Sequence, residues 1–77
     1  MRIRIVNTMD GGEIAAEMDP TDSAGDVIVF AAQYWKKDRN AFIMRVGNRL
    51  IPESAKLNEA GVSEGDSVEL VPDPQGG

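Results

Sequence analysis

The residues with the clearest chemical use stand at the end of the sequence. In "LVPDPQGG", Leu70 to Gly77, an apolar strand-like run passes through two prolines into Gly76-Gly77 and a carboxylate. Two terminal glycines cap no core and fix no turn. Lacking Cβ, they let the backbone enter a narrow site and take φ/ψ values closed to other residues. Pro72 and Pro74 bias the segment before them toward an extended, polyproline-like shape that holds the carboxylate away from the body. The chain itself supplies little to react with such a group. It has no cysteine and no histidine, so it lacks a thiolate nucleophile, the commonest general base and the usual zinc ligands. Ser23 in "TDSAGD" has no histidine to activate it and sits where a helix N-cap belongs. The carboxylates of "DPTDSAGD" do not have the spacing of a calcium loop. No metal site or resident cofactor is expected, and the chain reads as a binding or carrier module, not an enzyme.

Composition points the same way. At 77 residues the chain is one small domain, which buries only about 60% of the surface its unfolded form exposes. Without disulfides it suits a reducing compartment. It shows no apolar run long enough to span a bilayer and no secretory leader, so a cytoplasmic location without membrane contact is expected. A net charge of −5 and a pI near 4.5 argue against unspecific nucleic-acid binding.

The elements that must carry the tail can be read from periodicity. "MRIRIVN" alternates with Met1, Ile3 and Ile5 on one face and Arg2 and Arg4 on the other, as in a half-buried strand. Asp10-Gly11-Gly12 supplies turn residues, and "EIAAEMD" alternates again with Ile14, Ala16 and Met18 inward, giving a hairpin. From Ala24 to Lys37 the period becomes helical. Ser23 and Asp26 approximate a capping box, Val27, Phe30, Ala31 and Tyr34 form one apolar stripe, and Ile28, Ala32 and Trp35 form another. Lys36 and Lys37 fall in the last turn, where cations are favoured, and Trp35 is expected to cover the edge of the core.

"AFIMRVGNRLIP" reads as a strand, a Gly47-Asn48 turn and a short strand stopped by Pro52. Its inward face is either Phe42, Met44 and Val46 or Ile43. "SAKLNEAGV" is a single turn closed by Gly61 with Leu57 buried. "SVELV" is a last strand with Val68 and Leu70 inward, ended by the prolines. The order ββαβββ implies an α+β fold, one helix on one mixed sheet, with the first and last strands inside it. Residues 1–71 form the domain and 72–77 the tail. Arg2, Arg4 and Arg45 on the outer sheet face are either a docking patch or a solvated face.

This order and five local motifs, "MRIRIVNTMDGGEI", "MDPTDSAGDV", "RVGNRLIPE", "KLNEAGVSEGDSVELV" and the final "GG", resemble the ubiquitin-like β-grasp proteins over nearly the whole chain, and the length matches too. The segment "FAAQYWKKDRNAFI" is the least similar. The resemblance implies an apolar partner-binding patch with one residue each from the first hairpin turn, the third strand and the last strand. The matching positions are Met9, Met44 and Val71, and methionine suits an adaptable docking surface.

For the tail, the resemblance implies a protein modifier. An ATP-using activating enzyme adenylates Gly77, a partner cysteine takes the acyl group as a thioester, and an amine of a target protein receives it in an isopeptide bond. Gly76 and Gly77 are then the conjugation residues, and an isopeptidase completes the set of partners; the modifier itself is expected to be a monomer.

Two departures matter. Asn48 and Glu64 stand where ubiquitin has chain-linking lysines, leaving Lys36, Lys37 and Lys56. Asp73 and Gln75 replace the tail arginines, so tail recognition implies a dedicated, prokaryotic activating enzyme. Two other readings share the fold. "EGDSVELVPDPQGG" also resembles sulfur carriers of the molybdopterin and thiamine types, whose Gly-Gly becomes a thiocarboxylate. Leu57–Asp66 is similar to non-covalent ubiquitin-like accessory proteins of type VII secretion, which generally lack the diglycine.

Overall fold

The computed structural model describes residues 1–75. Strands β1 (Arg2–Asn7) and β2 (Glu13–Glu17) pair antiparallel, with Ile3 opposite Ala16 and Ile5 opposite Ile14. Their inward faces are therefore the ones the alternation implies. The hairpin closes through Gly11, whose φ of 77° is open to glycine at no steric cost. The Asn7 and Gly12 backbones bond across it at 2.7 Å.

Helix α1 (Ala24–Trp35) starts on a complete capping box. The Asp26 N–H donates to Ser23 Oγ at 3.1 Å, and the Ser23 N–H donates back to the Asp26 carboxylate at 3.0 Å. Gly25 sits where a side chain would be tightly placed. Its N–H donates to the Glu53 carbonyl, and a Cβ would stand 3.3 Å from that oxygen. Just upstream, Thr21 donates from both its hydroxyl and its backbone to the Asp19 carboxylate. These bonds hold that group below the ordinary aspartate range.

The helix differs from the sequence reading at two places. It stops at Trp35, because Lys36 adopts the left-handed conformation (φ 57°, ψ 49°) and Lys37 N–H closes back on the Ala32 carbonyl at 2.8 Å. This is a Schellman ending built on a residue other than glycine. The apolar face is also narrower than two stripes. Ala24, Gly25, Val27, Ile28, Ala31 and Ala32 are buried, whereas Phe30 and Tyr34 are 40% and 62% exposed. At roughly 100° per residue, positions 27, 28, 31 and 32 already fill the arc that faces the sheet, which leaves 30 and 34 outside it. Trp35 lies over the core edge as expected, with Gly12 close to its indole.

After a short 3-10 turn at Arg39–Ala41 come β3 (Phe42–Val46), β4 (Arg49–Ile51) and β5 (Ser67–Pro72). The sheet order is β2-β1-β5-β3-β4. β5 is parallel to β1 and antiparallel to β3, so the first and last strands lie inside the sheet. Between β4 and β5, Leu57 is fully buried beneath a turn closed at Gly61 by the Val62 N–H on the Leu57 carbonyl. Ile3, Ile5, Val27, Ile28, Met44, Leu57, Val68 and Leu70 form the fully buried centre. Burying each aliphatic side chain of this kind contributes roughly 1.5–3 kcal/mol.

Candidate docking face and reactive tail

The three positions implied for a partner patch do not come together. Met9 lies on the hairpin turn, 51% exposed, with its N–H bonded to the buried Asn7 Oδ1. Val71 is half-buried on the outer face of β5. Met44 is fully buried, which corrects its assignment to the patch. The cause is register: Met44 pairs directly opposite Leu70 and Ile43 opposite Val71, and directly paired residues share a face. With Leu70 in the core, Met44 must be in the core and Ile43 outside. Ile43 is the residue the sequence reading missed. The available signal was that Phe42, Met44 and Val46 place more apolar volume on their side of β3 than Ile43 does alone.

The outer sheet face is therefore an apolar pair, Ile43 and Val71, beside two ion-paired arginines, while the exposed Arg2 at the start of β1 pairs with no carboxylate among the described residues. Arg45 Nε lies 3.0 Å from Glu69 Oε1, and these residues are themselves cross-strand partners. Arg4 Nε lies 3.3 Å from Glu13 Oε1. Arg4 and Arg45 thus belong to a solvated, ion-paired face. Leu50, opposite Arg45, adds an exposed side chain on the edge strand. A hollow of about 140 Å³ lined by Arg2, Ile3, Arg4, Ala15 and Gly65 is smaller than the roughly 300 Å³ at which small-molecule pockets begin. Among the described residues no group of three or more acidic, histidine or cysteine side chains could hold a metal ion. No helix among them is long and apolar enough to cross a membrane.

The ordered body reaches further toward the tail than Val71. β5 includes Pro72, and the Asp73 N–H donates to the Ala41 carbonyl at 2.9 Å. The Asp73 carboxylate then accepts the Gln75 N–H at 2.9 Å, forming a turn at Pro74. Asp73 is thus tied to the domain by its backbone and shapes the tail with its side chain, while Gln75 is exposed. Gly76 and Gly77, the two residues expected to carry the conjugation chemistry, lie outside the described residues.

One helix packed on a five-stranded mixed sheet in the order β2-β1-β5-β3-β4 defines the class: the chain is a ubiquitin-like β-grasp domain. Among solved structures it is similar to the ubiquitin of Caldiarchaeum subterraneum, with a TM-score of 0.88 and 26% identity over 100% of this chain and 98% of that one. It is also similar to the ubiquitin-like domain of Plasmodium falciparum Dsk2, with a TM-score of 0.85 and 18% identity over 95% and 97% of the two chains. The second likeness is one of fold alone. By sequence, no family model and no curated protein matches it.

Proposed function

We propose that the chain is a ubiquitin-like protein modifier joined to its targets through Gly77. The observation that carries this reading is the end-to-end likeness to an archaeal ubiquitin, in a chain whose body is tied down as far as Asp73 and whose sequence carries Gly76-Gly77 just beyond it. The Gly77 carboxylate attacks the α-phosphorus of ATP in a dedicated activating enzyme and releases pyrophosphate. A cysteine thiolate of a partner displaces AMP to give the thioester. A target amine then displaces the thiolate and loses a proton to leave an amide. Every nucleophile and base is supplied by partners, in keeping with a chain that has neither cysteine nor histidine. The reactions belong to the cytoplasm, where ATP and reduced thiols coexist, and the modifier acts as a monomer.

The sulfur-carrier reading rests on "EGDSVELVPDPQGG", which suits that chemistry as well. Both readings use the same adenylate and part at the acceptor. Expression of a tagged chain with and without Gly77 in the native cell separates them. A ladder of heavier tagged species that requires Gly77 supports the modifier. An intact free protein heavier by the difference between sulfur and oxygen, with no ladder, supports the carrier.

A further inference from the structure

The outward surface of α1 has no role in the reading above. Three of the four aromatic residues of the chain, Phe30, Tyr34 and Trp35, lie along this helix and outside the buried set. Phe30 and Tyr34 are one helical turn apart and exposed, with Tyr34 edge-on to Trp35 at a ring separation of 5.8 Å. A small domain with a limited core gains little from leaving its bulkiest side chains in water, and aromatic residues are enriched at the centres of protein interfaces. Beside them stand Lys36 and Lys37. Both are exposed and, like Arg2, Arg49 and Lys56, pair with no carboxylate among the described residues; what sets them apart is that they follow Tyr34 and Trp35 directly, in a chain of net charge −5.

We infer that this face, Phe30 and Tyr34 flanked by Lys36 and Lys37, docks an acidic amphipathic helix of another protein. The α1 backbone groups are committed to the helix, so no strand can add to it; a partner must bring side chains, and a helix presents them most densely on a convex ridge. Charge fixes the direction. The acidic residues of the partner meet Lys36 and Lys37 at the C-terminal end of α1. Acidic residues favour the first turn of their own helix, so the two helices run antiparallel. A second copy of this chain is a poorer occupant, because it brings the same net negative charge and leaves the lysine pair opposite Asp26, whose carboxylate already serves the capping box.

The test uses the full chain and a synthetic helical peptide with glutamates in its first two turns and leucines along one face. It is followed by amide chemical shifts and by the fluorescence of Trp35, the only tryptophan. Shifts centred on Phe30, Gln33, Tyr34 and Lys37 are expected. Affinity should fall about tenfold or more in a Lys36→Glu/Lys37→Glu variant, or when lysines replace the peptide glutamates, a change that leaves the protein untouched. Phe30→Ser/Tyr34→Ser should abolish the shifts while circular dichroism stays that of the parent. Absence of binding, equal binding of the lysine peptide, or shifts centred on Ile43 and Val71 overturn the proposal. So does concentration-dependent self-association through this face, seen by sedimentation, which makes a second copy its occupant. Each outcome is independent of whether Gly77 is conjugated.

Discussion

The molecule presents two apolar surfaces on opposite sides, and they treat charge differently. On the outer sheet face, Ile43 and Val71 stand beside Arg45–Glu69, with Arg4–Glu13 further across. On the outer helix face, Phe30 and Tyr34 stand beside two lysines that pair with nothing among the described residues. An ion pair formed within the domain must be broken or bypassed when a partner arrives, so the sheet face offers shape and apolar contact before it offers charge. An unpaired cation makes no such internal demand, which is why the docking proposed for the helix face is expected to depend on the sign of the partner's charge. The two faces of the same small domain thus differ in what stands beside their apolar residues: an ion pair at Ile43 and Val71, and exposed unpaired lysines at Phe30 and Tyr34.

The largest effect is expected in β3, whose one side faces the core and whose other side faces out. Met44→Ala should cost roughly 2–5 kcal/mol, a large share of the stability of a domain this size. Ile43→Ala, facing outward, should cost roughly 1 kcal/mol or less. Urea unfolding of both variants checks the register, and equal losses would place the sheet face wrongly. At the helix end, Lys36→Gly should raise stability by about 0.5–1 kcal/mol, because glycine takes the left-handed cap without a Cβ penalty. A lower midpoint would mean that the Lys36 side chain contributes contacts not evident in its exposed position. The smallest effect belongs to the sheet charges. Glu69→Gln should cost under about 1 kcal/mol, since the pair is more than a third exposed and screened, and the loss should shrink further as salt is added.

Much of the scaffold was legible because its signals are local. The β1–β2 hairpin announces itself by strict alternation on both sides of Asp10-Gly11-Gly12, and the Ser23–Asp26 capping box fixes the start of α1. The end of α1 was less legible, because a lysine in the left-handed conformation carries none of the signal that glycine would. The exposure of Phe30 and Tyr34 was not legible at all, since their spacing matches that of Ala31 and Val27 and only the position of the sheet separates them. The docking site failed for a related reason. Which side of β3 faces the core depends on its register with β5, a contact between residues far apart in the chain. Local pattern gave Val71 its outward direction but could not align Met44 with Leu70. In the tail, sequence identified Asp73 as a departure in charge, while its bonds to Ala41 and Gln75 required the neighbouring strand to be in place.

The central claim is that the carboxylate of Gly77 forms amide bonds to target proteins. Trypsin cuts last in this chain after Lys56, so a modified lysine should carry the long Leu57–Gly77 remnant, not a Gly-Gly one. The direct measurement is mass spectrometry of tryptic digests from native cells expressing the tagged chain, searched for that remnant on lysine side chains. Leu57–Gly77 branched peptides are expected in the full-length sample and none when Gly77 is deleted. Their absence from both samples, with the free protein abundant and intact, would contradict the claim.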